Sequence, residues 1–132
     1  MPGPDVIPRR ADRVLPIDPR NRVLLLCGFD PADPDHPFWF TVGGGADPGS
    51  LGRPVWRRVA EFAFDGRRYR QEEEYYALRV GSAEVSLAGM DESEKDTVTG
   101  YRWLSAPEFN ALGEPFAPPE LPRLLRDLTA PR

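Results

Sequence analysis

The sequence predicts one α+β domain, a sheet of several strands with its helices gathered towards the C-terminal end. Three observations carry that prediction. Apolar or alternating runs of strand length recur at Val23–Cys27, Phe38–Val42, Val55–Phe64 and Arg67–Val80. Compact turn signals punctuate them, among them Asp18-Pro19-Arg20-Asn21, Asp47-Pro48-Gly49 and Asp65-Gly66. Near the end, Leu121, Leu124, Leu125 and Leu128 fall on one helical face.

A chain of 132 residues is long enough for one real core and too short for two domains. Sixteen prolines and twelve glycines favour many turns and short elements over long helices. The net charge of -4 gives no reason to expect a nucleic-acid partner. Cys27 is the sole cysteine, which rules out a disulfide scaffold or a cysteine-rich zinc site, and its apolar surroundings predict a buried structural thiol. No apolar segment approaches the roughly 20 residues of a membrane span, so no membrane partner is expected. The proline-broken residues Met1 to Pro8 do not read as a signal peptide, and a cytoplasmic location is the expectation.

In chain order, residues 1–8 read as a loose arm and 9–132 as the body of the domain. Arg9 to Ile17 predicts a first strand with Ala11, Arg13, Leu15 and Ile17 on one side. Val23–Cys27 is apolar at every position, as in a strand covered on both faces, and the two strands are expected to form a hairpin. Residues 30–37 alternate aspartates with prolines around His36 and read as a polar loop; the prolines keep the acids from wrapping around an ion. The aromatic run Phe38-Trp39-Phe40-Thr41-Val42 then stops in Gly43-Gly44-Gly45, whose backbone is open to a phosphate or a metal.

Val55–Phe64 alternates, with Trp56, Arg58, Ala60, Phe62 and Phe64 on one side. A helix is the competing reading, because Val55, Val59 and Phe62 are also helically spaced, but Asp65-Gly66 is a type I′ hairpin signal and favours a strand returning through Arg67–Val80. Within that return, Glu72-Glu73-Glu74 reads as a solvated charge run. Gly81 to Lys95 is an acidic, turn-rich connection, and Thr97 to Leu104 a further strand. Ser105 caps a short helix with Glu108 as its capping-box partner, and a last helix spans about Glu120 to Leu128.

The stretch from Phe38 to Ser50 resembles the start of a Nudix box. In that family a strand ends in Gly-Gly and passes through a turn into a catalytic helix. The family pattern is Gly, five residues, Glu, seven residues, then Arg-Glu-apolar-x-Glu-Glu-x-Gly-apolar. Counted from Gly44, the glutamate position holds Ser50, and the chain then runs directly into Leu51-Gly52-Arg53-Pro54, which resembles the loop after the helix. The hairpin Phe62 to Glu72 and the step Tyr101-Arg102-Trp103-Leu104-Ser105 also resemble the family.

The resemblance implies a Nudix-like mixed β-sheet sandwiched by helices, with the box helix missing. It implies a hydrolase that uses Mg2+ or Mn2+ to cleave a nucleoside diphosphate linked to another moiety. It assigns the Gly43 carbonyl to the metal, and Glu92 or Glu94 to the loop where some relatives carry a further catalytic carboxylate. Arg10, Arg68 and Arg70 become candidates to grip phosphate oxygens in a fork, with Gly44 and Gly45 close to the substrate. Without the box glutamates the chain is expected to be inactive or strongly impaired. The other reading is a non-catalytic Nudix-like module that binds a nucleotide or a protein. Loss of the helix also leaves a sheet face without its cover. Three remedies stand open: a second copy of the chain, a rearranged fold, or a stretch between Ser50 and Leu51 that the sequence lacks.

Overall fold

The fold was obtained as a computed structural model, and it describes residues 6–43, 52–81 and 98–130. Seven strands are present among them: β1 (Val6–Ile17), β2 (Val23–Asp30), β3 (Asp33–Gly43), β4 (Trp56–Phe64), β5 (Arg67–Arg79), β6 (Val98–Leu104) and β7 (Phe116–Ala117). A 3-10 helix (Ala106–Ala111) follows β6, and α1 (Leu121–Thr129) closes the chain.

The sheet is mixed. β4 pairs with β5 in antiparallel fashion, and β5 runs parallel to β1 from Val6 opposite Arg68 to Ile17 opposite Arg79. β1 meets β3 at Arg13–Gly43 and Val14–Val42, β3 pairs with β2, and β6 adds to the other side of β2. The expected β1–β2 hairpin is reduced to one register pair, Ile17 opposite Val23. The connecting turn itself is well formed. Asp18 accepts the Arg20 and Arg22 amides at 3.0 and 2.8 Å, and its backbone N–H donates to the Arg22 carbonyl at 3.0 Å. The Asn21 N–H also donates to the Asp18 carbonyl at 3.0 Å and Asn21 has a φ of 60°, so the turn is a compact one, and beyond it β1 leaves β2 and follows β5.

Two further expectations are corrected. Val6, Ile7 and Pro8 belong to β1 rather than to a loose arm, because the extended φ of proline is compatible with a strand. Residues 33–37 belong to β3 rather than to a loop. The same proline geometry keeps them extended, and they are exposed and barely paired, with Asp33 opposite Asp30 and regular pairing resuming at Phe38. The β4–β5 hairpin stands as read: Asp65 and Gly66 have φ of 51° and 78°, both positive as a type I′ turn requires.

The core gathers Leu15, Ile17, Val23, Leu25, Trp39, Tyr75 and Leu104 of the sheet with Ala106, Phe109 and Leu112 and with Leu121, Leu124 and Leu125 of α1. The leucine spacing read from the sequence thus puts the apolar face of α1 on the sheet. Glu108 ties down the start of the 3-10 helix, accepting the Ser105 N–H at 2.9 Å. Both described helical segments contribute to this one core. On the alternate side of the central strands Val14, Leu24, Leu26 and Tyr76 are also buried, so at these positions the sheet is covered within a single chain. Cys27 is a free, half-buried thiol packed against the core.

Candidate functional site

Strand alternation sends the side chains of β5 to two different places. Gln71, Glu73 and Tyr75 point to the core side, opposite Ala60, Arg58 and Trp56 of β4. Glu72 and Glu74 lie on the outer side with Arg57 and Val59 of β4 and Arg10 and Asp12 of β1.

On the core side, Glu73 is only 6% exposed. Its carboxylate accepts Arg58 Nε at 2.5 Å, Gln71 Nε2 at 2.5 Å and the Tyr75 hydroxyl at 2.8 Å. Burial pushes the Glu73 carboxyl up, but the hydrogen bonds from Arg58, Tyr75 and Gln71 and the arginine charge outweigh it and hold it below the usual carboxylate range. Burial, followed by the charge of Glu73, pushes the Tyr75 phenol up and keeps it neutral. The charge-run reading of Glu72-Glu73-Glu74 is therefore corrected at its central residue. Glu73 is an interior carboxylate with three donors, as the cost of burying a lone charge demands. One strand further into the sheet, Arg13 hydrogen-bonds the buried Thr41 through both its hydroxyl, at 3.1 Å, and its carbonyl, at 2.5 Å.

On the outer side, a groove of about 350 Å³ runs between Arg10, Asp12, Arg57, Val59, Glu72 and Glu74. Glu74 is held by Arg10 at 3.6 Å, by Arg57 at 3.5 Å and by the Tyr76 hydroxyl at 2.9 Å. A smaller groove of about 240 Å³ continues past Pro8, Arg9, Arg10, Arg70 and Glu72.

Of the residues singled out from the sequence, the structure brings Arg10 and Arg70 to this smaller groove. Arg68 lies two positions from Arg70 on the same outer face of β5, beside Val6 of β1. Arg68 and Arg70 form no ion pair among the described residues, so their guanidiniums are available to an anion. Gly43 ends β3 opposite Arg13, while Gly44, Gly45, Glu92 and Glu94 lie outside the described residues. The residues missed by sequence reading are Arg58, Gln71 and Tyr75. Their shared side of the hairpin was visible in the alternation, and the signal that could have marked it as the interior is the run of Trp56, Ala60, Phe62 and Phe64 on the same side of β4.

The divalent metal implied by the resemblance needs several free oxygen ligands close together. Among the described residues no three His, Cys, Asp or Glu side chains gather into such a set. The two acids of β5 with partners, Glu73 and Glu74, are committed to arginines and tyrosines. The described residues do not fit the metal.

No family model matches the chain, and no curated protein does. Among solved structures, it is similar to the MutT protein from Methanosarcina mazei Go1, at 12% identity over 95% of each chain with a TM-score of 0.53. It is also similar to a C. elegans Ap4A hydrolase solved as a binary complex, at 14% identity over 92% of this chain and 95% of that one, with a TM-score of 0.48. The solution structure of the E. coli ORF135 protein matches at 19% identity over 91% and 89%, with a TM-score of 0.41. Of these three, the first is close enough in backbone to bear on architecture: the chain has a Nudix-like fold built on a curled mixed sheet.

Proposed function

We propose that this chain descends from Nudix phosphoanhydride hydrolases and has lost the metal-dependent step, or nearly so, while its outer groove still accepts the phosphates of a nucleoside diphosphate derivative. One observation carries the reading. Two of the three carboxylates on β5, Glu73 and Glu74, hold arginines, and residues 44–51, where the box helix would begin, contain no glutamate. A hydrolase of this type works by crowding unpaired carboxylates around Mg2+ or Mn2+, so that the ions neutralise the diphosphate and orient the attacking water. Carboxylates neutralised by guanidiniums cannot take that part without first releasing them. The groove at Arg10 and Arg70, with Arg68 beside it, supports the alternative of a nucleotide-binding module, because two or three guanidiniums on one face suit a chain of phosphates.

The test incubates the chain with Mg2+ and, separately, with a dinucleoside tetraphosphate and a nucleoside diphosphate sugar. The expected result is no release of nucleoside monophosphate above the protein-free control. Release that a chelator abolishes refutes the loss of the metal step. Titration with a nucleoside diphosphate is expected to show binding that weakens at least tenfold in Arg70→Glu; wild-type-like affinity in that variant removes the groove from the proposal.

A further inference from the structure

We propose that the outer edge of β4 pairs with β4 of a second copy of this chain, in an antiparallel, two-fold arrangement centred on Val59. Among the described strands, β4 lies at the end of the sheet and has one neighbour, β5. It is nine residues long, contains no proline and no lysine, and keeps an unshifted register with β5 from Trp56 to Phe64. Strands at sheet ends normally carry such interruptions because an uninterrupted row of outward N–H and C=O groups is a template for another strand. Val59 is 51% exposed in the middle of the row.

The side chains select the partner and the register. In a two-fold antiparallel pair, opposed residues must lie on the same face, so the axis has to pass through a residue position. Centring on Arg58 opposes two arginines, and centring on Glu61 opposes two glutamates. Centring on Ala60 sets Val59 against Glu61, and centring on Phe62 sets Glu61 against Ala63. Centring on Val59 places Val59 against Val59 and sets Arg57 opposite Glu61 twice, once on each side of the axis. Within one chain, Glu74 already lies opposite Arg57, and Arg70 opposite Glu61. The pairing therefore completes a row that reads Glu74, Arg57, Glu61 and Arg70 across four strands of two molecules, alternating in sign at every step. On the core-side face the same register sets Trp56 against Phe62. A self-complementary charge pattern at the end of a sheet fits a second copy of the chain better than an unrelated peptide. The interface is an edge, distinct from the sheet face considered in the sequence, and it does not depend on whether the domain binds nucleotides.

The test is register-specific cross-linking of the full chain. In a Cys27→Ser background, Val59→Cys places two thiols directly opposite, with Cβ atoms about 4.5–5.5 Å apart, and mild oxidation is expected to give a covalent dimer. In the same background Glu61→Cys places its two thiols about 13 Å apart along the strands and is expected to stay monomeric. Sedimentation equilibrium of the unmodified chain is expected to show reversible doubling of mass with concentration, and Val59→Lys to abolish it while the far-ultraviolet circular dichroism is unchanged. A wild-type chain that stays monomeric at every concentration overturns the proposal. So does equal cross-linking at positions 59 and 61, or a dimer that survives Val59→Lys.

Discussion

Replacing Glu73 with alanine should be among the most destabilising single changes in this domain. The substitution leaves the Arg58 guanidinium, the Gln71 amide and the Tyr75 hydroxyl with no acceptor at the centre of the β4–β5 hairpin. Removing one partner of a buried ion pair costs about 3–5 kcal/mol, chiefly because the remaining charge stays desolvated. The Arg58 side chain is 22% exposed and recovers some water, which puts the expectation at the lower end, about 3 kcal/mol. For a domain of this size that corresponds to a fall in melting temperature of about 10 °C. Urea denaturation followed by far-ultraviolet circular dichroism measures it, with the slope of the transition checked for constancy. Glu73→Gln separates charge from hydrogen bonding, since its amide oxygen still accepts while the charge is gone. The pH dependence has a definite sign. The folded carboxyl sits below its ordinary value of 4.5, so its stabilisation is complete above that value and is lost as pH falls through the folded one. Wild type should therefore converge on Glu73→Gln in acid and separate from it above pH 4.5. A Glu73→Ala midpoint within about 1 kcal/mol of wild type would refute the reasoning, because a solvated surface pair contributes no more than that.

Two further changes test the supports of the sheet. Leu125→Ala removes a side chain that is 1% exposed where α1 meets the core, and should cost about 2–5 kcal/mol in the same denaturation assay; a loss below about 1 kcal/mol would mean that α1 is not docked as described. Asp18→Ala removes the acceptor of the Arg20 and Arg22 amides and of Arg22 Nε at 2.7 Å, and should destabilise by about 1–3 kcal/mol. Faster hydrogen exchange at the amides of Arg20 and Arg22 is the accompanying signature, and unchanged exchange there would remove Asp18 as the organiser of the turn.

How much of this was legible in the sequence depends on the range of the interaction. The β4–β5 hairpin could be read because Asp65-Gly66 selects one turn type locally, and the φ values of both residues agree. Helix α1 could be read because four leucines at helical spacing need only one surface to bury against, and Ser105 and Glu108 announced the preceding turn of helix. The parallel pairing of β1 with β5 could not, since it joins residues about sixty positions apart and leaves no local trace. The same limit explains β3. Prolines at positions 34 and 37 are equally compatible with a loop and with an extended edge, and only the neighbours decide. For the candidate site, the alternation of β5 placed Gln71, Glu73 and Tyr75 on one side. Which side faced the core depended on β4 and on the aromatic packing of Trp56 on Tyr75, with ring centroids 5.2 Å apart.

The two sides of β5 bear on function through the same electrostatics. A carboxylate serving a metal must be able to give its oxygens to the ion, and the ion must tolerate what surrounds it. For Glu74, a divalent cation would have to displace Arg10 and Arg57 and then sit beside two like-charged guanidiniums. For Glu73, it would have to enter the core and strand Arg58 without a counter-charge. Both routes oppose the ion, so Glu73 and Glu74 are poorly placed to serve as its ligands. What they do instead is neutralise arginines across neighbouring strands, while Arg70 and Glu61 are opposed in register at the far end of the row with no ion pair between them. The same alternation of charge that fits β4 to β5 inside one chain is what the proposed pairing of two copies would extend across the outer edge of β4.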